Sequence, residues 1–189
     1  LKARELAAKE IVKSKGATFI HPSNDNDVIL GQGTACKELL NEYDDLDYVL
    51  TPVGGGGLIA GSAIAAKYFS SNCKVIGAEP FEADDAYRSL KSGKIETNET
   101  TNTIADGLKT QLGDKNFPII LNDVHSIIRI SESEIVESMK IIWERLKIVC
   151  EPSCSLPLAA ILKNKEFFKD RKIVAPESWR SVALFVPRP

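Results

Sequence analysis

Residues 51–69 read TPVGGGGLIAGSAIAAKYF: an apolar run, four consecutive glycines, then an alanine-rich segment. Such a run is costly, because each glycine loses more backbone freedom on folding than any other residue and adds no side chain to a core. Four glycines between a strand and a helix leave backbone N–H groups free at the helix N-terminus, where the dipole favours negative charge. A phosphate bound there needs no side chain, and Gly54, Gly55, Gly56 and Gly57 are its candidate cradle. A tight turn without a ligand is the plainer alternative, but one or two glycines suffice for a turn.

The segments around this junction alternate between strand and helix. Leu6, Ala7, Ile11 and Val12 recur at helical spacing, with Gly16 as a stop. ATFI (17–20) reads as a short strand, and Asp25–Asp27 as the cap of a helix carrying GQGTACKELLNEY. LDYVLTPV is apolar without alternation, as in a strand buried on both faces. KVIGAE is the next strand, 83–90 a helix and 92–103 a polar loop. Ser131 and Glu134 form a capping box opening a long amphipathic helix through Lys147. SLPLAAIL is a short helix with Pro157 early, and KIVA is a last strand. The pattern predicts an α/β fold with a largely parallel sheet.

Composition excludes several classes. A net charge of −2 offers nothing to nucleic acid or an anionic membrane. No window approaches the roughly 18 apolar residues of a membrane span. Cys36, Cys73, Cys150 and Cys154 form no C-x-x-C, and His21 and His125 lie far from them, which argues against structural zinc. Scattered thiols of this kind fit a reducing, cytoplasmic compartment.

The phosphate's owner is ambiguous from spacing alone. No P-loop motif occurs, but Gly55-x-Gly57-x-x-Ala60 after a strand, with Glu79 some 20 residues on, satisfies a dinucleotide fingerprint. What surrounds Glu79 points elsewhere. AEPFEADDAY gathers Glu79, Glu82, Asp84 and Asp85 directly after a strand. Clustered carboxylates suit a hard cation with oxygen ligands. An acidic helix N-terminus in solvent accounts for the same residues equally well.

Five stretches occur in an order that carries a resemblance: HPSNDNDVILGQGT, VLTPVGGGGLIAG, GAEPFEADDAY, TIADGLK and CEPSCSLPLAA. Together, over residues 1 to about 174, they resemble the serine racemase and serine/threonine dehydratase family of fold-type II pyridoxal-phosphate enzymes. The resemblance implies that Gly54 to Gly57 hold the phosphate of pyridoxal phosphate, that Gly107 lies beside its ring, and that Glu151 lines the same pocket. It implies that Glu79, the Ala83 carbonyl and Asp85 ligate Mg²⁺ or Mn²⁺. Arg145 and Lys147 match positions of an ATP effector site at a homodimer interface; a solvated basic turn is the alternative there. The implied substrates are serine and threonine. The electron-sink cofactor makes Cα–H acidic, and reprotonation on the opposite face racemises while loss of the β-hydroxyl leads to a 2-oxo acid and ammonia.

The sequence also departs from that family. Its cofactor-bearing lysine, in an S-x-K-x-R-G setting, and the serine base of the opposite face are expected upstream of Leu1, so no catalytic residue is assigned within this chain. The Ser-Gly-Gly-Asn turn expected after the last strand is replaced by APESWRSVALFVPRP, and Cys154 and Pro157 stand where small residues are preferred. The expected organisation is the end of a small domain over 1–22, a partial large cofactor-binding domain over 23–174 and a divergent tail over 175–189. Such a piece is expected to be inert and poorly stable alone. A serine/threonine dehydratase without racemase activity, an NAD-binding oxidoreductase, and a non-catalytic truncated form remain the alternatives.

Overall fold

The computed structural model describes residues 2–177 and 182–186. Helix α1 (Lys2–Lys15) ends as its glycine predicts: Gly16 takes φ +64° and its N–H reaches Val12 O at 3.0 Å. ATFI is not a strand. Residues 17–20 pair with no ladder, and Phe19 and Ile20 stay exposed, because a strand needs a partner edge that the described residues do not provide.

Asp25 caps α2 (Asn26–Glu42) by accepting from the N–H groups of Asp27 and Val28. Its buried residues, Ile29, Gly33, Cys36 and Leu40, recur every three or four positions and form one stripe. That stripe meets α3 (Gly57–Phe69) at a crossing where Gly33 faces Gly61. A Cβ on Gly33 would lie 2.6 Å from Gly61 O, so the two backbones touch directly.

Strand β1 (Tyr48–Pro52) is buried along its whole length. It pairs in parallel with β2 (Lys74–Pro80) on one side and β4 (Ile173–Glu177) on the other. Outside β2 lies β3 (Val124–Ile130), again parallel, and outside β4 lies β5 (Val182–Val186), antiparallel. The sheet order is β3-β2-β1-β4-β5. KIVA is therefore not the last strand: part of the 175–189 tail extends β4 and returns as β5, while 178–181 and 187–189 lie outside the described residues.

Two apolar layers cover the sheet. Val49, Val53 and Val75 pack against α2, α3 and Ile120 of α5 (Asn116–Asp123). Leu50, Ile76 and Ala78 pack on the opposite face against Ile135 of α6 (Glu132–Ile141) and Leu156 and Ala160 of α7 (Pro152–Lys163). A fully buried valine, leucine or isoleucine side chain contributes about 1.5–3 kcal/mol, and consecutive β1 residues contribute to opposite layers. This is the parallel-sheet α/β architecture that the alternation predicts.

Two helices differ in extent from expectation. Helix α6 has its capping box, with Ser131 and Glu134 bonded reciprocally, but beyond Ile141 the chain widens into a π-turn over Ile142–Leu146 and stops at Lys147, φ +60°. Helix α7 begins three residues before SLPLAAIL, so Pro152 holds the first-turn position and Pro157 sits inside the helix. A short α4 (Asp85–Ser92) follows β2, and the four-residue α8 (Lys165–Phe168) precedes β4. Among the described residues no helix is long and apolar enough to cross a membrane.

Candidate functional site

The chain runs β1, β2, β3 outward to one side, then returns to place β4 on the other side of β1. The strand order therefore reverses at β1, and in open α/β sheets ligands bind outside the carboxyl ends of strands at such a point. The glycine run occupies that position.

A cleft of about 700 Å³ opens there. Gly54 to Gly57 form one wall and the N-terminus of α3, with Gly56 in the left-handed region at φ +90°. Among the described residues no acceptor takes the N–H of Gly54, Gly55 or Gly56. The loop is fixed from behind: Asn116, fully buried, donates from Nδ2 to Gly55 O at 2.6 Å and to Ser23 O at 3.0 Å, and Gly113 N–H donates to Gly55 O at 3.2 Å. The glycines have a steric reason that the sequence did not show. A Cβ on Gly55 would collide with Ser23 Oγ and one on Gly57 with Gln32 Oε1, so protein walls as well as any ligand demand bare backbone.

Gly107 lies in a single 3-10 turn (Asp106–Leu108) facing α7. A Cβ there would come within 2.8 Å of Ser153 Oγ and 3.7 Å of Glu151 Oε1. The structure thus brings Gly107 and Glu151 into the same cleft as the four glycines. It adds residues that sequence reasoning missed. Gln32 Oε1, Thr110 Oγ1 and Ser153 Oγ line the cleft, are buried, and have no hydrogen-bond partner among the described residues. GQGT, DGLKT and EPS contain them, but nothing in residue type distinguishes them from ordinary polar positions.

Glu79, Ala83 and Asp85 form a separate corner at the end of β2. Glu79 is fully buried and accepts from the N–H of Ala86 at 3.0 Å and of Tyr87 at 2.8 Å, capping α4 in place of its own N-cap residue. Burial, and then the nearby Asp85, push its carboxyl well above the ordinary range despite those two donors. Burial likewise raises Asp85, against donation from Leu112 N–H and Asn98 Nδ2, each at 2.6 Å. Asp84 differs: both its oxygens face guanidinium groups, Arg88 at 2.7 Å and Arg129 at 3.0 Å. Glu82 is exposed. The capping role of Glu79 also sets aside the dinucleotide alternative, since its carboxylate is turned into the protein and not toward the cleft.

The two places are joined through residues 110–113. Leu112 donates to Asp85, Gly113 to Gly55, and Thr110 reaches the cleft. Arg145 and Lys147 belong to neither. Lys147 borders a different, strongly apolar groove of about 760 Å³ along the π-turn, with Ile104, Val136, Trp143 and Val149, and Arg145 lines neither cavity. The cysteines are free thiols, and among the described residues no group of three His, Cys, Asp or Glu side chains converges.

Known proteins resemble this chain in sequence and fold. The family described as pyridoxal-phosphate dependent enzyme matches residues 1–177. The chain is 49% identical over 174 residues to a serine racemase of Dictyostelium discoideum, covering 91% of this chain and 53% of the relative. It is 44% identical over 171 residues to a beta-hydroxyaspartate dehydratase of Paracoccus denitrificans, covering 90% and 54%. A solved threonine deaminase from T.th. superposes with a TM-score of 0.90 at 40% identity, covering 98% of this chain and 62% of that structure. The chain spans about half the length of the curated relatives it matches.

Proposed function

The chain belongs to the pyridoxal-phosphate dependent enzyme family, and from that premise we propose that it supplies the phosphate-binding half of an enzyme acting at Cα of β-hydroxy amino acids. Serine is the first candidate substrate, and threonine and 3-hydroxyaspartate follow. The named substrates of the relatives share an α-amino group and a β-hydroxyl, which is the substrate class this reading assigns.

The observation that carries it is the set of buried oxygens of Gln32, Thr110 and Ser153, unpartnered in a cleft whose floor is an open helix N-terminus. Each buried polar atom without a partner costs about 1–3 kcal/mol, and three such atoms lining one cleft suit a polar ligand. Pyridoxal phosphate fits that demand. Gly54 to Gly57 offer amide donors to its phosphate, Gly107 leaves room beside its ring, and Ser153 and Glu151 present a hydroxyl and a carboxylate on the same wall. When bound, the cofactor supplies an electron sink that acidifies Cα–H. This chain's residues bind and orient; the lysine that carries the cofactor and the base of the second face are expected outside it.

The same reading assigns Glu79, the Ala83 carbonyl and Asp85 to Mg²⁺ or Mn²⁺. Each of the four carboxylate oxygens accepts one hydrogen bond from another residue and keeps a second lone pair, and those donors are amides, not cationic side chains. Two carboxylates and a carbonyl suit a hard cation that retains waters. It further includes a homodimer, for which the exposed Trp143 and Val149 along the apolar groove speak, residues 1–22 as the end of a small domain, and a cytoplasmic location. An ATP effector at Arg145 and Lys147 finds less support, because Arg145 lines neither cavity and the groove beside Lys147, though bordered by Lys140 and Glu144, is mostly apolar.

The test is turnover by the natural protein that carries this sequence. With L-serine, chiral chromatography should show D-serine and a coupled assay should show a 2-oxo acid. A 2-oxo acid without D-serine selects the dehydratase alternative. No product from serine, threonine or 3-hydroxyaspartate would refute the reading.

A further inference from the structure

Arg129 belongs neither to the cleft nor to the assigned metal ligands, yet it touches the metal corner from three directions. It stands on β3 opposite Glu79 in the parallel register, so the two side chains arise from neighbouring positions of adjacent strands. Its guanidinium lies 4.6 Å from the ring centroid of Phe81 and 4.3 Å from that of Tyr87. Its Nη1 donates to Asp84 Oδ2 at 3.0 Å. Phe81 and Asp84 bracket the turn that contains Ala83, and Tyr87 is in the first turn of α4, whose N–H bonds Glu79 Oε2. Phe81 is half-exposed, with the guanidinium of Arg129 against its ring.

We propose that Arg129 is the positioning residue of the divalent-cation corner. By stacking between Phe81 and Tyr87 and gripping Asp84, it holds the 81–84 turn and the start of α4 over Glu79. It also keeps Asp84, the acid between the assigned ligands Ala83 and Asp85, from competing for the cation. The inference rests on the reading of Glu79, Ala83 and Asp85 as ligands. Its sign is diagnostic. A cation beside a dication site repels the metal through space, so an arginine acting by charge alone would weaken binding, and its removal would tighten it. A positioning arginine does the reverse.

The experiment is Mn²⁺ titration of the full-length natural protein and of its Arg129→Gln and Arg129→Lys variants, with thermal midpoints measured after chelation and after Mn²⁺ addition. Loss of an outer-shell support costs roughly ten- to a hundredfold in metal affinity, and that weakening is expected in both variants, because lysine keeps the charge but not the planar stack. The Mn²⁺-induced rise in midpoint should shrink in parallel. A merely structural arginine would lower both midpoints equally and leave Mn²⁺ affinity unchanged, and that result overturns the proposal. So does tighter Mn²⁺ binding in Arg129→Gln. Should that variant fail to fold, the lysine variant alone decides, with the same readout. If the unsubstituted protein binds no Mn²⁺, or if a Glu79→Gln, Asp85→Asn double variant binds it undiminished, the metal reading itself falls and takes this inference with it.

Discussion

At the scale of single residues, the cleft depends on backbone conformation more than on side-chain chemistry. Gly56 sits at φ +90°, and a Cβ there would also lie 2.7 Å from Leu112 Cδ1. Gly56→Ala should therefore destabilise the protein by about 1–3 kcal/mol in chemical denaturation, the range for a non-glycine residue held in a sparsely populated region. Cofactor affinity should fall with it. Asn116 is a sharper probe, because it touches the loop only from behind. Asn116→Ala leaves Ser23 O without its donor and Gly55 O with the longer Gly113 N–H bond alone, at about 1–3 kcal/mol, and cofactor titration should show weaker binding with the cleft's own groups intact. The glycine run was legible as a costly loop between a strand and a helix, while its contacts with Ser23 and Gln32 were hidden. Asn116 was not legible, since it lies 61 residues from the carbonyl it serves. Arg129 was invisible for the same reason: Asp84 is 45 residues away from it, and strand register gathers the two.

At the scale of elements, the α2–α3 crossing and the α6 cap make separable claims. Gly31 and Gly33 are two positions apart on α2, yet a Cβ on Gly31 meets nothing within 4 Å while one on Gly33 meets the backbone of Gly61. Gly31→Ala should stabilise by about 0.5–1 kcal/mol, as helix propensity dictates. Gly33→Ala should destabilise by about 1–3 kcal/mol, as overpacking does. Matched denaturation curves check both, and equal effects would contradict the direct backbone contact. At the start of α6, burial would raise the Glu134 carboxyl, but the Ser131 N–H, the Lys163 ammonium and the Ser131 hydroxyl together hold it below its ordinary value. A carboxyl depressed in the folded state contributes stability that is present above its ordinary value near 4.5 and lost as pH falls through the folded one. Glu134→Gln should lower the thermal midpoint at neutral pH and flatten that acid limb. This cap was readable in SESE because both partners lie within four residues. The π-turn after Ile141 was not, as nothing in IWERL departs from ordinary helical composition.

At the scale of the whole molecule, the sheet order makes the site. A chain that lays β1, β2 and β3 outward and then sets β4 on the other side of β1 leaves a crevice at the carboxyl end of β1, where the glycine loop stands. The alternation of strand and helix was readable, because buried parallel strands are apolar runs and the helices between them carry stripes. ATFI misled, since an apolar tetrapeptide is a strand only beside a partner edge. The β5 return was missed because VALFV follows an unpatterned stretch. The site's halves were read as separate motifs; their link through Leu112 and Gly113 is a property of the fold, not of any segment.

If the glycine loop binds the phosphate of the cofactor, as proposed, an experiment that removes the phosphate and nothing else will show it. Pyridoxal phosphate and pyridoxal should be titrated against the natural protein, following visible absorbance in parallel samples. Two or more amide donors to an anion are worth about 3 kcal/mol or more, so pyridoxal should bind at least roughly a hundredfold more weakly, and added inorganic phosphate should recover part of its binding. Equal affinity for the two compounds would mean that the four glycines serve only the packing around Ser23, Gln32 and Leu112.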